Sequence, residues 1–170
     1  MTVELIKYPS EEDWMLCKKC TLVTVGKTPI TPPTAEWKKS ILRARHSPIR
    51  ELNYYFLISD VPYWVAMHLV RHHVGCQPYV KTQRTDRTGE ARDVLPQDAP
   101  VDMIWRLNAE SLMTVANKRL CRMAAKETRE VVQRMCDEVL KVCHEFDWLL
   151  VPACVYHGGI CYEINGCKGK

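Results

Sequence analysis

Residues 127–146, ETREVVQRMCDEVLKVCHEF, constrain this chain most. Val132, Cys136, Val139, Cys143 and Phe146 recur at helical spacing, so one side of a long helix is apolar. A helix striped in this way must lay that side on another element. The rest of the chain offers several. TVELIKY alternates like a short strand, and RELNYYFLISD, rich in aromatic and β-branched residues, reads as a strand from Arg50 to Ser59. Residues 8–16 look helical, TLVTVG reads as a strand or a helix end, and the Pro-rich GKTPITPPT stops whatever precedes it. Thr34 to Arg45 reads as a helix. Asp60 is placed to N-cap another, with Pro62 in its first turn, running to about His73. Residues 75–99 read mostly as loop, Pro100 opens a helix to Leu120, and the tail from Val151 is irregular.

The 170 residues fit one domain, with the apolar and charged fractions of a soluble globular protein. A net charge of +4 admits anionic ligands but is far from a polybasic balance. No run approaches the eighteen or so apolar residues of a membrane span, and MTVELIKYPSEEDW lacks the shape of a signal peptide, so a cytoplasmic protein without membrane contact is expected. Nine cysteines, an odd number, argue against a disulfide framework in that setting.

The charge is concentrated. RHHVGCQPYVKTQRTDR, from Arg71 to Arg87, follows directly on the apolar DVPYWVAMHLV. On the expected 60–73 helix, His68, Arg71 and His72 follow Trp64 on one face. Arginine is almost never buried unpaired, so this face suits a solvated surface or a bound anion. On the expected 100–120 helix, Asn108 and Arg119 project from one side about 16 Å apart, with Ser111, Leu112 and Val115 between them. That face suits a flat ligand with polar edges, which a guanidinium plane grips bidentately.

In order and spacing these residues resemble the flavin-dependent thymidylate synthases, the ThyX family. Arg71-His72-His73 is similar to the family's Arg-His-Arg signature, with Thr82 where its Ser stands and Arg84 where an Arg follows. Upstream, HSPIREL resembles the His-Glu-Ser-Pro stretch, with Ser47 and Pro48 matching. Downstream, ARDVLP resembles the segment whose Arg, here Arg92, reaches a nucleotide phosphate across a subunit boundary. NAESLM resembles Asn-Ala-Arg-Ser-Leu-Met, and Arg119 falls on the substrate-activating Arg. His73 stands for an Arg, Pro78 and Tyr79 fall near the signature's Asn-Glu pair, Glu110 stands for an Arg and Thr114 for an Asn.

The resemblance spans about residues 45–145 and implies an α+β fold, an antiparallel sheet packed with helices, with the ligand site at subunit interfaces of a homo-oligomer, expected to be a tetramer. It implies FAD held by Ser47, Arg71, His72, His73, Asn108, Glu110 and Thr114. It implies a pyrimidine nucleotide, dUMP above all, held by His68, Thr82, Arg84, Arg92 and Arg119, with Arg119 stabilising charge on the ring. NADPH and methylenetetrahydrofolate are the implied co-substrates, and C5 methylation or a related alkylation the implied reaction.

Other readings stand beside it. Arg71 and Arg84 also read as surface charges, His68 and His72 as core histidines, and Arg119 as a helix cap paired with Glu127 or Glu130. Glu110 suits an ion pair. A diverged, non-catalytic nucleotide binder fits the same motifs. A nucleic-acid module using residues 71–87 with Tyr79 as a stacking ring is the rival of another class; the small net charge disfavours it. Cys17 and Cys20, in a C-x2-C spacing, with Cys154, His157, Cys161 and Cys167 of the tail, are candidate zinc ligands. Reduced thiols are the alternative, and Cys76, Cys121, Cys136 and Cys143 read as small core residues.

Overall fold

The computed structural model describes residues 1–167. Its centre is a four-stranded antiparallel sheet in the order β1-β2-β4-β3, formed by β1 (Thr2–Lys7), β2 (Asn53–Pro62), β3 (Cys76–Val80) and β4 (Pro100–Asn108). The α1 helix (Glu11–Val23) starts at a capping box in which Ser10 and Asp13 each accept the other's backbone N–H, and TLVTVG is its end. Thr34 caps α2 (Ala35–Ala44). The remaining helices are α3 (Tyr63–Val70), α4 (Thr85–Thr88), α5 (Ala109–Arg119), α6 (Lys126–Val142) and α7 (Ala153–Tyr156). No helix among the described residues is long and apolar enough to cross a membrane.

The expected 100–120 helix is corrected by β4. Val101, Met103, Trp105 and Leu107 are buried, whereas Asp102 and Ile104 between them are exposed. That period of two belongs to a strand. Pro100 sits at the strand's first position, where its missing N–H breaks no ladder. Helix begins only at Ala109, with Asn108 as its N-cap.

Three other boundaries move. The second strand runs three residues further than expected, through a register shift between Ile58 and Val61. Asp60 lies in that bulge with φ +53 and caps nothing; its N–H donates to Asp102 Oδ1 at 3.0 Å. The α3 helix stops at Val70, so Arg71 is its C-cap and His72 lies in the following turn. Residues 76–80 are a strand rather than loop.

The inward side chains of β2 and β4, among them Tyr54, Phe56, Met103 and Trp105, meet the buried faces of the helices. All five apolar positions that mark residues 127–146 are buried, although the helix itself ends at Val142 and Phe146 follows in a 3-10 turn. Phe146 packs edge-on against Tyr54 at 5.6 Å between ring centres. The opposite sheet face carries Leu57, Ile104 and Tyr79 in register across three strands; Ile104 is 37% and Tyr79 60% exposed.

Candidate active site

The site is built where the turn after α3 meets the start of α5. Gly75 makes the approach possible. It sits at φ +67, and a Cβ there would lie 2.3 Å from Ser111 Oγ and 2.4 Å from Asn108 Nδ2. The turn is then fastened at two points, and a third bond caps the helix start it rests on. Asn108 N–H donates to the Gly75 carbonyl at 3.0 Å, the Ser111 hydroxyl to the Val74 carbonyl at 2.7 Å, and Ser111 N–H to Asn108 Oδ1 at 2.9 Å. Asn108 is therefore a cap and a clamp, not a residue on the same helix face as Arg119. Ser111 is a site residue that its sequence position among apolar neighbours hid. The Asn-x-x-Ser pattern of an N-cap was the available signal.

The clamp delivers His72 to Arg119, three turns along α5. Arg119 Nε–H donates to His72 Nε2 at 2.8 Å and Nη2–H to the His68 carbonyl at 3.0 Å. Burial lowers the His72 pKa to about 4, helped by the positive charges of Arg119 and Arg71 and by His73. Arg119 is also lowered, by burial and then by Arg71, though a guanidinium stays charged at neutral pH. His72 is thus neutral, with its lone pair on Nε2 and its proton on Nδ1.

Glu110 pairs with Arg50 Nε at 2.5 Å, as its charge suggested, and Thr114 bonds back to the Glu110 carbonyl at 2.9 Å. With His72, Val74 and Ser111 they line a cleft of about 320 Å³. On the other side of His72 is a hollow of about 410 Å³ with Arg119, Lys118 and Glu163 on its walls. A larger hollow, about 820 Å³, lies between α5 and the tail and shares Thr114 with the cleft and Lys118 with the hollow beside Arg119. At its edge Arg45 donates to Asn117 Oδ1 at 2.6 Å and lies 4.8 Å over the Tyr156 ring.

Other expected site residues stand elsewhere. Thr82, Arg84 and Arg92 line a separate hollow of about 490 Å³ with Tyr63 and Met67. Arg84 is held by Asp86 through two bonds, at 2.8 and 3.0 Å. The His68 ring packs on Trp64 at 5.2 Å and shares a hydrogen bond with Thr128 at 3.3 Å, so only its carbonyl enters the site. His73 turns back to the Arg71 carbonyl at 3.1 Å, and Ser47 is exposed at the head of a 3-10 turn. Among the described residues no ion pair involves Arg71, Arg92 or Arg119. Glu127 and Glu130 therefore do not partner Arg119.

The candidate zinc ligands are not brought together: among the described residues no three His, Cys, Asp or Glu side chains are grouped to hold an ion. Cys17 is fully buried in the core, where desolvation pushes its thiol up to about 12, the wrong state for a thiolate ligand. Cys154, His157, Cys161 and Cys167 border the tail hollow without converging.

Residues 87–144, about a third of the chain, match the family described as thymidylate synthase complementing protein. The solved structures supply the fold. Thymidylate synthase X (ThyX) of Helicobacter pylori, solved with FAD and dUMP, is 15% identical and superposes with a TM-score of 0.68 over 88% of this chain and 99% of that one. The UMP/dUMP methylase PolB of Streptomyces cacaoi, bound with 5-Br dUMP, is 16% identical with a TM-score of 0.65, over 86% and 94%. No curated protein matches the chain. The class is thus that of an α+β protein with the ThyX fold. The resemblance read from the motifs is thus accompanied by a family match over residues 87–144 and by the same fold in solved ThyX structures, to which the chain is similar.

Proposed function

We propose that the protein is an FAD-dependent enzyme that methylates C5 of a pyrimidine deoxynucleotide, dUMP to dTMP, with methylenetetrahydrofolate as carbon donor and NADPH as reductant. The observation that carries this reading is Arg119. It is a half-buried guanidinium held at one edge by two neutral acceptors and, among the described residues, in no ion pair. Such a preorganised charge stabilises an anion developing on a pyrimidine ring without reorganising.

The residues fit a flavin dinucleotide. Arg71, in no ion pair among the described residues, gives charge for a diphosphate, and Glu110, the carboxylate on α5, is paired with Arg50. Bound there, the flavin supplies hydride chemistry that side chains lack. The chain's own part is to bind and orient. Asn108 and Ser111 fix the turn, Arg71 meets the phosphates, and Arg119 polarises the ring. The cleft beside His72 is near the lower limit of ligand pockets, about 300 Å³, so one chain walls only part of so large a cofactor. Thr82, Arg84 and Arg92 line a hollow that shares no wall with it. In a homotetramer they would complete a neighbour's nucleotide site.

A diverged binder without turnover is the second reading, favoured by Glu110: it stands where the family has an Arg and is committed to Arg50. Adding FAD to purified protein separates the flavin reading from others. Binding well below a millimolar, weakened in Arg71→Ala, is expected. No binding, or equal binding by Arg71→Ala, contradicts it.

A further inference from the structure

The way Arg119 is held carries more than its position. Nε–H and Nη2–H form one edge of the guanidinium plane, and both are taken, by His72 Nε2 and the His68 carbonyl. The Nη1–Nη2 end is left for a ligand. A carboxylate could grip the same edge, but it would cancel the charge that the site needs. A neutral imidazole grips it and leaves the charge intact. A protonated imidazole would present a donor to a donor and repel it.

We propose that His72 is the positioning residue of this site: a neutral acceptor that fixes the plane of Arg119 without neutralising it. The catalytic half of this proposal rests on the function proposed above. The structure supports it through what holds His72 in place. The Gly75, Asn108 and Ser111 clamp sets the turn that carries His72. The Trp105 ring from β4 lies 6.5 Å from the imidazole, centre to centre, and is fully buried. The charged and titratable groups around His72 are Arg119 and Lys118 of α5, Arg71 and His73 of the turn, Arg50 and Glu110 at the cleft, Cys76, Cys121 and, from the tail, Glu163. The cations nearest it, Arg119 and Arg71, act with burial to keep the imidazole neutral.

Long-range proton–nitrogen NMR of the full chain reads the imidazole without any turnover. The expected result is a bare Nε2 and a protonated Nδ1 at pH 7, with a titration midpoint near 4 that moves up in Arg119→Ala. A protonated Nε2, or a midpoint indifferent to Arg119→Ala, overturns the proposal. Kinetics then separate charge from shape, measured as tritium release from C5-labelled dUMP. His72→Ala should lose about tenfold to a hundredfold in kcat. His72→Gln, whose amide oxygen reaches about as far as Nε2, should recover most of that loss. His72→Glu, which grips but neutralises, should recover none. Equal rates for Gln and Glu, or no loss in a folded His72→Ala, contradict the positioning role. A wild type that releases no tritium overturns the catalytic half with the reading beneath it, while the spectra still decide whether His72 is Arg119's neutral acceptor.

Discussion

At the scale of single residues, the site depends on groups of opposite legibility. Arg119 and His72 could be singled out in the sequence because they fall in an ordered set of motifs. Gly75 could not, since its work is steric and local: a glycine at positive φ pressed on a helix start. Gly75→Ala combines a left-handed backbone with a sub-van-der-Waals contact. It should cost about 1–3 kcal/mol, read as a lower denaturation midpoint at unchanged m. Arg119→Ala should lower turnover by on the order of a hundredfold or more while leaving FAD binding nearly intact. Arg119→Lys should rescue little, because an ammonium cannot fill both the His72 and His68 contacts as a planar fork does. His72 gives stability a pH dependence of definite sign. Its folded pKa lies below the ordinary 6.5, at about 4, so the unfolded chain binds the extra proton between those values. His72's contribution is complete above about pH 6.5 and falls as pH drops toward 4. His72→Gln should flatten that part of a stability-versus-pH curve, and an unchanged slope would show that His72 is not the group responsible.

Among elements, the lesson lies in β4 and α5. Residues 100–120 contain strong helix formers toward their end, and Pro100 is a common helix opener, so a single helix was the natural expectation. The alternation of Val101, Met103, Trp105 and Leu107 was present, but it is short and runs without a break into helical spacing at Ala109. The change of period falls at Asn108, the N-cap of α5, whose cap signal is a single residue. The α6 stripe, by contrast, was long enough that all five positions read from it are buried, although the helix also buries Thr128, Val131 and Met135, and the antiparallel sheet came through the family resemblance rather than from strand patterns. Asn108→Ala should cost about 1 kcal/mol from the lost cap. It should also weaken FAD binding more than Asn108→Asp, which keeps an acceptor for Ser111 N–H; equal weakening would show that the cap does not organise the site.

For the whole molecule, the sheet offers one face to its own helices and leaves Leu57, Ile104 and Tyr79 in line on the other. Thr82, Arg84 and Arg92 line a hollow that shares no wall with the cleft and the hollow beside His72. The spacing of motifs along a chain cannot reveal such a division, because it depends on how the loops fold back in space. The proposed tetramer makes a specific demand. Light scattering should show an oligomer at micromolar concentration, and mixing Arg92→Ala with Arg119→Ala, each inactive alone, should restore turnover through sites composed of one intact half from each. A monomer, or a mixture as inactive as its parts, would contradict a shared site. The central claim, that Arg119 activates a pyrimidine ring for C5 alkylation in a flavin enzyme, is tested most directly by tritium release. With FAD, NADPH and methylenetetrahydrofolate present, the wild-type protein should release tritium from C5-labelled dUMP and Arg119→Ala should not. Wild-type protein that exchanges tritium with neither dUMP nor any other pyrimidine nucleotide would contradict the account.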